Sequence, residues 1–386
     1  MAVTTVSDDD ESASAGSGEG AASNRTARLL RPLAGVAVPA IATLAALIVG
    51  AVMLLAVGAN PLVGYGKLIT GAFGSADNLA DTAVRAMPLA LVGVGICIAF
   101  RTDVINIGGE GQIILGAIAA TSTSMAFEDL PRVFLVPLVL VAGAVGGGFW
   151  GAIPGALKAY AGVNEILSTI MMNIVAAHLL SFLLQDLLIE PNDIRIQQTR
   201  RLSANADLPL LPGGTRLHVG VLIAMLVAVA GYFLLFRSAL GLRLRSVGHN
   251  PDASQYAGMA VKRSITQALA FSGACCGIAG AVLVFGSESH RLIGEGGAAA
   301  FTQNAGFNGI VAALFGGLHP LFTVPASFLF GGMLTGGSDL QRALQVPAAL
   351  VVALNGVVVV FVVGSLRLRD RLRRWAGEEA SYGGRA

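Results

Sequence analysis

Long apolar runs separated by short polar segments dominate the chain between residues 33 and 366. Several runs reach the roughly 18 residues that a helix needs to cross a bilayer. The alternating pattern typical of membrane-spanning β-strands is absent. We therefore predict an all-α, polytopic transmembrane helical bundle of about ten spans. The spans are expected at residues 33–58, 80–100, 104–125, 133–150, 165–188, 217–236, 264–286, 302–318, 321–338 and 347–366.

One polar and basic stretch, residues 237–263, lies between the sixth and seventh predicted spans. Its middle has the residues of a short capped helix. Asn250 suits an N-cap, Pro251 suits the first helical position, and Asp252 suits the positive end of the helix dipole. Gly258 can end the helix in a left-handed conformation. A capped helix in this position favours a docking surface for a soluble partner.

The distribution of charge predicts the orientation of the spans. An even number of spans places both termini on one side of the membrane. Fifteen Lys and Arg residues then fall on the side of residues 237–263 and eight on the other, which indicates that both termini are cytoplasmic. Residues 1–32 are expected to be a disordered, acidic, Ser/Gly-rich tail, and residues 367–386 a basic tail. The largest external loop, 189–216, is either a partner contact or a spacer.

Composition and missing sequence motifs exclude several classes of protein. Charged residues make up 12% of the chain, against roughly 25% in soluble domains. The net charge of +2 gives no reason to expect a nucleic-acid partner. No phosphate-binding loop for ATP is present, because Leu68 follows Gly66 and Lys67 where a Ser or Thr is needed. No catalytic or metal-binding spacing is visible, so we expect no enzymatic activity and no bound cofactor or metal.

Polar residues at membrane depth are candidates for a solute pathway. The first cluster contains Asn106, Glu110 and Gln112 among glycines. The four-residue spacing predicts that Asn106 and Glu110 share a helix face, loosened by the neighbouring glycines. The alternative is that Glu110 caps a helix end or forms a salt bridge there.

A second cluster is predicted on the fifth span. Glu165, Thr169 and Asn173 recur every four residues and form one polar stripe along a helix. Such a stripe lines either a water-filled path or a helix–helix interface.

The third cluster contains Asn304, Phe307 and Asn308, and it repeats the spacing of the first. Because the two clusters open spans that run in opposite directions, the repeat predicts an inverted repeat of five spans. The matched pairs are Asn106 with Asn304, Gly108 with Gly306, Glu110 with Asn308, and Gly111 with Gly309. Outside the clusters, Asp81 and Arg85 are expected to form an i, i+4 pair at a helix interface.

Four segments together resemble a known family. TDVINIGGEGQIILGA, GVNEILSTIMMNIVA, LRSVGHNPDASQYAGM and FNGIVAALFGGLHP stand in this order. They resemble permease subunits of ATP-binding-cassette (ABC) importers of the branched-chain amino acid/simple sugar type, most closely the purine nucleoside and simple sugar permeases. The resemblance covers residues 33–366. It implies a translocation pathway for a nucleoside or simple sugar, operated by alternating access.

The resemblance also implies partners and a location. These are a separate cytoplasmic ATPase that hydrolyses ATP, a second related permease, and an extracellular substrate-binding lipoprotein. The expected location is the plasma (inner) membrane of a prokaryote, in contact with lipid. The Glu-Ala-Ala run of other importers is absent. The residues that match the segment docking on the ATPase are Gly248, His249, Asn250, Pro251, Ala257 and Gly258.

Two alternatives remain open at this point. A permease for branched-chain amino acids or pentoses would show the same general pattern. A secondary transporter driven by an ion gradient could use Glu110 and Glu165 as proton sites, and an inverted repeat suits that class equally well.

Overall fold

The computed structural model describes residues 41–185, 187–190, 197–294, 301–358, 360–361 and 364. Within these ranges the chain forms thirteen helices and no strand beyond two isolated β-bridges. The predicted tails, 1–32 and 367–386, lie outside the described residues. The helices are α1 Ile41–Ala56, α2 Pro61–Phe73, α3 Ala76–Phe100, α4 Gly109–Ala126, α5 Arg132–Ala161, α6 Glu165–Leu183, α7 Gly220–Arg237, α8 Ala239–His249, α9 Pro251–Tyr256, α10 Val261–Phe285, α11 Ala305–Phe315, α12 Pro320–Leu344 and α13 Ala348–Val358.

All ten predicted spans overlap one of these helices, and α2, α8 and α9 are additional. Five helices, α3, α5, α6, α7 and α10, are long and apolar enough to cross a membrane. A sixth span results if α1 and α2 count as one broken span. The protein is therefore an all-helical, multi-pass membrane protein. The total of ten spans and the orientation of the termini stay predictions.

Local side chains explain where several helices begin and end. The Ser75 hydroxyl accepts a hydrogen bond from the backbone N–H of Asn78 (3.1 Å), which caps α3. The Asn164 side chain accepts from Ile166 N–H (2.9 Å) and so caps α6. α5 ends at Gly162, whose φ of +69° is the left-handed conformation that glycine adopts without strain.

The described residues divide into two compact units, one that contains 41–61 and the described residues from 352 onward, and one within 62–351. The second unit contains both predicted sites. One of its ends carries α8 and α9, and we call it the α9 end. There a β-carbon on Gly248 would overlap the carbonyl oxygen of Arg101, so α8 packs on the last turn of α3. At the opposite end, Gly220 of α7 and Gly286 after α10 both pack on the ring of His218.

Glycines bring α10 into backbone contact with α4 and α5. A β-carbon on Gly277 of α10 would overlap the carbonyl oxygen of Gly143 in α5. A β-carbon on Gly116 of α4 would overlap the Gly277 backbone from the other side. Small residues at four-residue spacing permit such close approach of helices in a membrane, where van der Waals packing replaces the hydrophobic effect. α10 is thus the helix against which α4 and α5 are positioned.

All three cysteines are free and buried. Cys97 lies in α3 beside Thr323 of α12, with 3.3 Å between Sγ and Oγ1. Cys275 and Cys276 lie in α10. Their positions agree with the small apolar filler role that cysteine usually has inside helical bundles.

We expect Gly277→Leu to prevent stable folding, because its side chain would collide with the backbones of two neighbouring helices. Overpacking of cores typically costs about 1–3 kcal/mol or more, and here main-chain atoms would have to move. The measurement is the melting temperature and the monodisperse fraction in detergent. Gly66→Leu is the matched control, because a β-carbon on Gly66 meets no atom within 4 Å. Equal melting temperatures for the two variants would contradict this account of α10.

Candidate translocation and coupling sites

Two helices begin at the same place inside the second unit, and the carboxylate of Glu110 lies between them. α4 begins at Gly109 and α11 at Ala305. Glu110 Oε1 accepts hydrogen bonds from the backbone N–H groups of Gly306 (2.8 Å) and Phe307 (3.3 Å). A carboxylate at this position satisfies N–H groups that a helix start leaves unpaired, and its charge suits the positive end of the dipole. Glu110 is therefore a cap, as one interpretation of the sequence held, but for a helix almost 200 residues away.

The glycines around Glu110 allow the two helix starts to touch. A β-carbon on Gly306 would lie 2.5 Å from the backbone nitrogen of Glu110, and one on Gly109 would lie 3.2 Å from the α-carbon of Gly306. From this junction α11 runs toward the α9 end, where Leu318 accepts a hydrogen bond from Arg101 (3.2 Å). α4 runs the other way, alongside α10. We call this contact of residues 106–112 with 304–308 the junction.

Asn106 lies before α4 and not on it, so the prediction that Asn106 and Glu110 share a helix face was wrong. The side chain of Asn106 is completely buried. Its amide nitrogen donates to Gln112 Oε1 (2.9 Å) and to Ser272 Oγ of α10 (2.8 Å). Its oxygen accepts from Gly108 N–H (2.9 Å) and from Gln112 Nε2 (3.2 Å). All four hydrogen-bonding positions of the amide are occupied, so Asn106 and Gln112 hold the start of α4 against α10.

The polar stripe of α6 forms a helix interface, one of the two roles that the sequence allowed. It lies on one helix face and consists of Glu165, Thr169 and Asn173. Asn173 accepts from Gly111 N–H (2.8 Å) and donates to the carbonyl oxygen of Ile107 (2.9 Å). Glu165 forms an ion pair with Lys158 of α5. The stripe thus joins α6 to the junction and to the end of α5.

The candidate residues on α11 are the ones with open surface. Asn304 is exposed and precedes α11 in a left-handed conformation with φ +57°, making no side-chain cap. Phe307 is 46% exposed and Asn308 is half-buried. Of the nine candidate pathway residues, Asn304 and Phe307 are exposed, and Asn308, Glu165 and Asn173 are half-buried. Asn106, Glu110, Gln112 and Asn173 are engaged in the junction.

The candidate coupling segment is the capped helix that the sequence predicted. The Asn250 side chain accepts from Ala253 N–H (2.9 Å), Pro251 occupies the first turn of α9, and Gly258 has φ +79°. Most of α9 is exposed, and Tyr256 reaches 95% exposure. The helix α8, which precedes α9 and is capped by Ser238, was not predicted.

The coupling segment contacts helices that reach deep into the second unit. Gly248 packs on the backbone of Arg101 and Thr102 after α3. The ring of Phe236 at the end of α7 lies 5.6 Å from the guanidinium carbon of Arg101 and 5.3 Å from that of Arg245 in α8. Such cation–π contacts favour one arrangement of the three helix ends. α10 then begins five residues after α9, so α8 and α9 together link the ends of α3, α7 and α10.

A cavity of about 930 Å³, lined by both polar and apolar residues, opens at the end of the unit opposite α9. We call it the outer cavity. Its wall includes Asp81 and Arg85 of α3, the loop around Pro209 and His218, and Phe301 and Gln303 just before the junction. Among the described residues Asp81 and Arg85 form no ion pair within 4 Å, so the expected direct pair is not formed, although the charge of Asp81 acts on Arg85. The sequence feature that could have pointed to this cavity is an arginine next to an apolar run.

The loop beside the outer cavity is held by charge pairs. Its backbone bonds to the end of α10 and to the segment after it, for example Leu208 N–H to the carbonyl oxygen of Phe285 (3.0 Å) and Leu202 N–H to that of His290 (2.9 Å). The Arg291 guanidinium lowers the pKa of the Glu190 carboxyl, so this pair stays charged at neutral pH. The pairs are Glu190 with Arg291, Glu128 with Arg200 (2.8 Å), Glu288 with Arg216 (2.8 Å), and Asp207 with His290 (2.7 Å).

Comparison with known proteins assigns the chain to a family. Residues 78–363 match the family of branched-chain amino acid transport system permease components. The chain belongs to this family. It is a permease subunit of an ABC transporter and not an enzyme, as the sequence predicted. No solved structure matches the chain.

Three curated relatives match nearly their whole length. The guanosine ABC transporter permease protein NupP of Bacillus subtilis is 36% identical, over 88% of this chain and 97% of its own. The nucleoside ABC transporter permease protein NupB of Lactococcus lactis is 32% identical, over 85% and 90%. The glucose ABC transporter permease protein TsgB13 of Haloferax volcanii is 34% identical, over 85% and 87%.

Glu110→Ala is expected to destabilise the permease, since the N–H groups of Gly306 and Phe307 would be left buried without a partner. Such a loss costs about 1–3 kcal/mol and would appear as a lower melting temperature. Glu110→Gln keeps an oxygen that can accept from the same N–H groups, so it should retain stability and most transport. A normal melting temperature with abolished uptake in Glu110→Gln would instead indicate that the charge itself takes part in transport.

Gly258→Val is expected to reduce transport, because φ +79° at this position strains any β-branched residue. Space is not the obstacle, since a β-carbon there meets no atom within 4 Å. Gly258→Asn tolerates the left-handed conformation better and is the matched control. The measurement is solute uptake per ATP hydrolysed in the reconstituted transporter. Equal coupling ratios in the two variants would show that the conformation of Gly258 has no part in docking.

Proposed function

We propose that this permease forms part of the membrane pathway of an ABC importer for nucleosides or related sugar-containing solutes. The observation that carries the proposal is the similarity to NupP and NupB, which extends over nearly the full length of both relatives. The similar identity to the glucose permease TsgB13 keeps simple sugars within the solute class. Nucleosides and simple sugars share a polyhydroxylated ring, which requires hydrogen-bonding groups in the pathway.

In this proposal the α9 end faces the cytoplasm and the outer cavity faces the extracellular side, with both termini cytoplasmic. The basic residues Arg237, Arg243, Lys262 and Arg263 flank α9, and such residues concentrate on cytoplasmic loops. A separate ATPase binds α9 and the residues on either side of it. The residues that form this contact are Gly248, His249, Asn250, Pro251, Ala257 and Gly258. The exposed surface of α9, with Tyr256 protruding, supports this role.

The helix directions support a ten-span arrangement with an inverted repeat. α3 and α10 have 25 residues each and run in opposite directions, α3 toward the α9 end and α10 away from it. Each is followed by a helix that begins at the junction, α4 after α3 and α11 after α10. These two helices also diverge in opposite directions. Helices that begin in the middle of the membrane and point their N-termini at one place are typical of repeat-built transporters.

The junction and the outer cavity together provide an alternating-access pathway. The outer cavity accepts the solute, and its wall extends to Phe301 and Gln303, next to the junction. Asn304, Phe307 and Asn308 supply amide groups and an aromatic surface there. Asn106, Glu110, Gln112 and Asn173 become available when the junction opens, while Glu165 and Thr169 line the α6 side. ATP-driven movement of α9 opens the junction through α3 and α10.

The importer requires further subunits. We propose a second, related permease beside this one, a cytoplasmic ATPase, and an extracellular substrate-binding lipoprotein that delivers solute to the outer cavity, all at the plasma membrane of a prokaryote. The ordered loop 197–218 beside the cavity gives that protein a fixed surface to contact.

An ion-coupled transporter is the competing class, and two observations disfavour it. The carboxylate of Glu110 is committed to the start of α11, and that of Glu165 is committed to Lys158. Both carboxylates thus have structural partners in this conformation. A permease for branched-chain amino acids or pentoses remains the alternative within the importer class.

The proposal is tested by reconstituting the permease with its partner permease, ATPase and binding protein, and measuring uptake of labelled adenosine, guanosine, glucose, ribose and leucine. We expect ATP-dependent uptake of nucleosides that persists when an uncoupler removes the proton gradient. Uptake of leucine or ribose alone would instead identify the protein as a permease for branched-chain amino acids or pentoses. Uptake that continues without ATP but collapses with the uncoupler would refute the importer assignment.

A further inference from the structure

We propose that Asp81 and Arg85 bind neighbouring hydroxyl groups on the sugar ring of the solute in the outer cavity. The inference rests on the proposed function, because it assigns to two residues the recognition of a nucleoside or simple sugar. It concerns residues outside the polar clusters and outside the coupling segment.

The other charged side chains of the cavity wall have protein partners. Arg216 pairs with Glu288, and Asp207 pairs with His290. Arg132 donates to the carbonyl oxygen of Ala204 (2.8 Å), and Arg291 pairs with Glu190. These side chains therefore have direct partners within the protein, which Asp81 and Arg85 lack.

Asp81 and Arg85 differ from the rest of the wall. Both are half-buried in α3 and line the cavity, and neither forms an ion pair or hydrogen bond in the part of the chain that the structure describes. The charge of Asp81 acts on Arg85 without a direct ion pair, and so do those of Asp339 and Arg342 in α12, which pair with each other (3.8 Å). Half-buried charges without a direct hydrogen-bonded partner oppose stability. Ionisable residues retained inside a membrane span usually serve a pathway.

The arrangement of the two groups selects the chemistry of the ligand. Residues four apart on a helix lie one turn apart on the same face, with about 5–6 Å between their β-carbons. A carboxylate accepts hydrogen bonds on two oxygens, and a guanidinium donates several in a fixed fork. Two adjacent hydroxyl groups, each both donor and acceptor, can bridge such a pair. The opposite charges cancel, so the pair suits a neutral diol better than a phosphorylated solute.

The remaining surface and size of the cavity fit the same ligand. Met87, Pro88 and Phe301 give apolar contact area close to the pair, as binding sites for small organic molecules generally do. The volume of about 930 Å³ lies within the roughly 300–1,000 Å³ of such sites. A nucleoside can place its sugar hydroxyl groups on Asp81 and Arg85 and its base against the apolar wall.

The test compares a solute that has both hydroxyl groups with one that lacks them. The probes in the reconstituted transporter are adenosine and 2′,3′-dideoxyadenosine, which lacks both hydroxyl groups. If only sugars are transported, they are glucose and 2-deoxyglucose, which lacks one hydroxyl group of the neighbouring pair. We expect the wild-type protein to have a KM for the intact solute about tenfold lower than for the deoxy analogue, the scale of a hydrogen bond to a charged group. Asp81→Asn and Arg85→Gln should each remove most of this preference by raising the KM of the intact solute alone. Arg216→Gln is the matched control, because Arg216 is an exposed arginine of the same wall, and it should keep the preference.

The outcomes separate the inference from the proposed function. Asp81→Asn is nearly isosteric, and its assembly with the ATPase is checked by co-purification. Equal loss of transport for both probes would show that the pair is structural, and unchanged discrimination would show that it does not touch the solute. Either result overturns the inference while nucleoside transport stands. If the wild-type complex transports neither nucleosides nor sugars, the proposed function fails first, and the inference fails with it.

Discussion

Direct contact between glycine backbones is the constraint on which the rest of this permease depends. Gly277 of α10 lies between Gly143 of α5 and Gly116 of α4, where no side chain fits. Because the helix axes come this close, the start of α4 reaches Ser272 on α10, and the amide of Asn106 can bridge the two. This packing holds the helices together. These helices in turn position the junction, the outer cavity and the contacts between the α9 end and the junction.

Interactions between residues close in sequence could be predicted from the sequence, and hydrogen bonds between distant segments could not. The cap of α9 follows from Asn250, Pro251 and Gly258 alone, and the structure confirms it. The long apolar runs likewise predicted helices at all ten places. The prediction that Asn106 and Glu110 share a helix face was wrong because tertiary hydrogen bonds decide where α4 begins. No local pattern indicates that Ser272 or Gly306 would be their partners.

The two ends of the second unit use charge differently. Near α9, Arg101 and Arg245 lie against the ring of Phe236, so positive charge is packed without an acidic partner among the described residues. At the outer cavity, acidic and basic side chains alternate and mostly neutralise one another. The first arrangement suits a surface that another protein must cover. The second suits a wet entrance for an uncharged solute.

The burial of the cysteines has a practical consequence. Cys97, Cys275 and Cys276 are enclosed by packed helices, so a water-soluble maleimide should find no native thiol to modify in the folded protein. A single cysteine introduced at Tyr256 would then be the sole reactive site, and in the proposed docking mode its labelling would stop when the ATPase binds. The permease thus offers a background in which docking can be followed by spectroscopy without first removing its own cysteines.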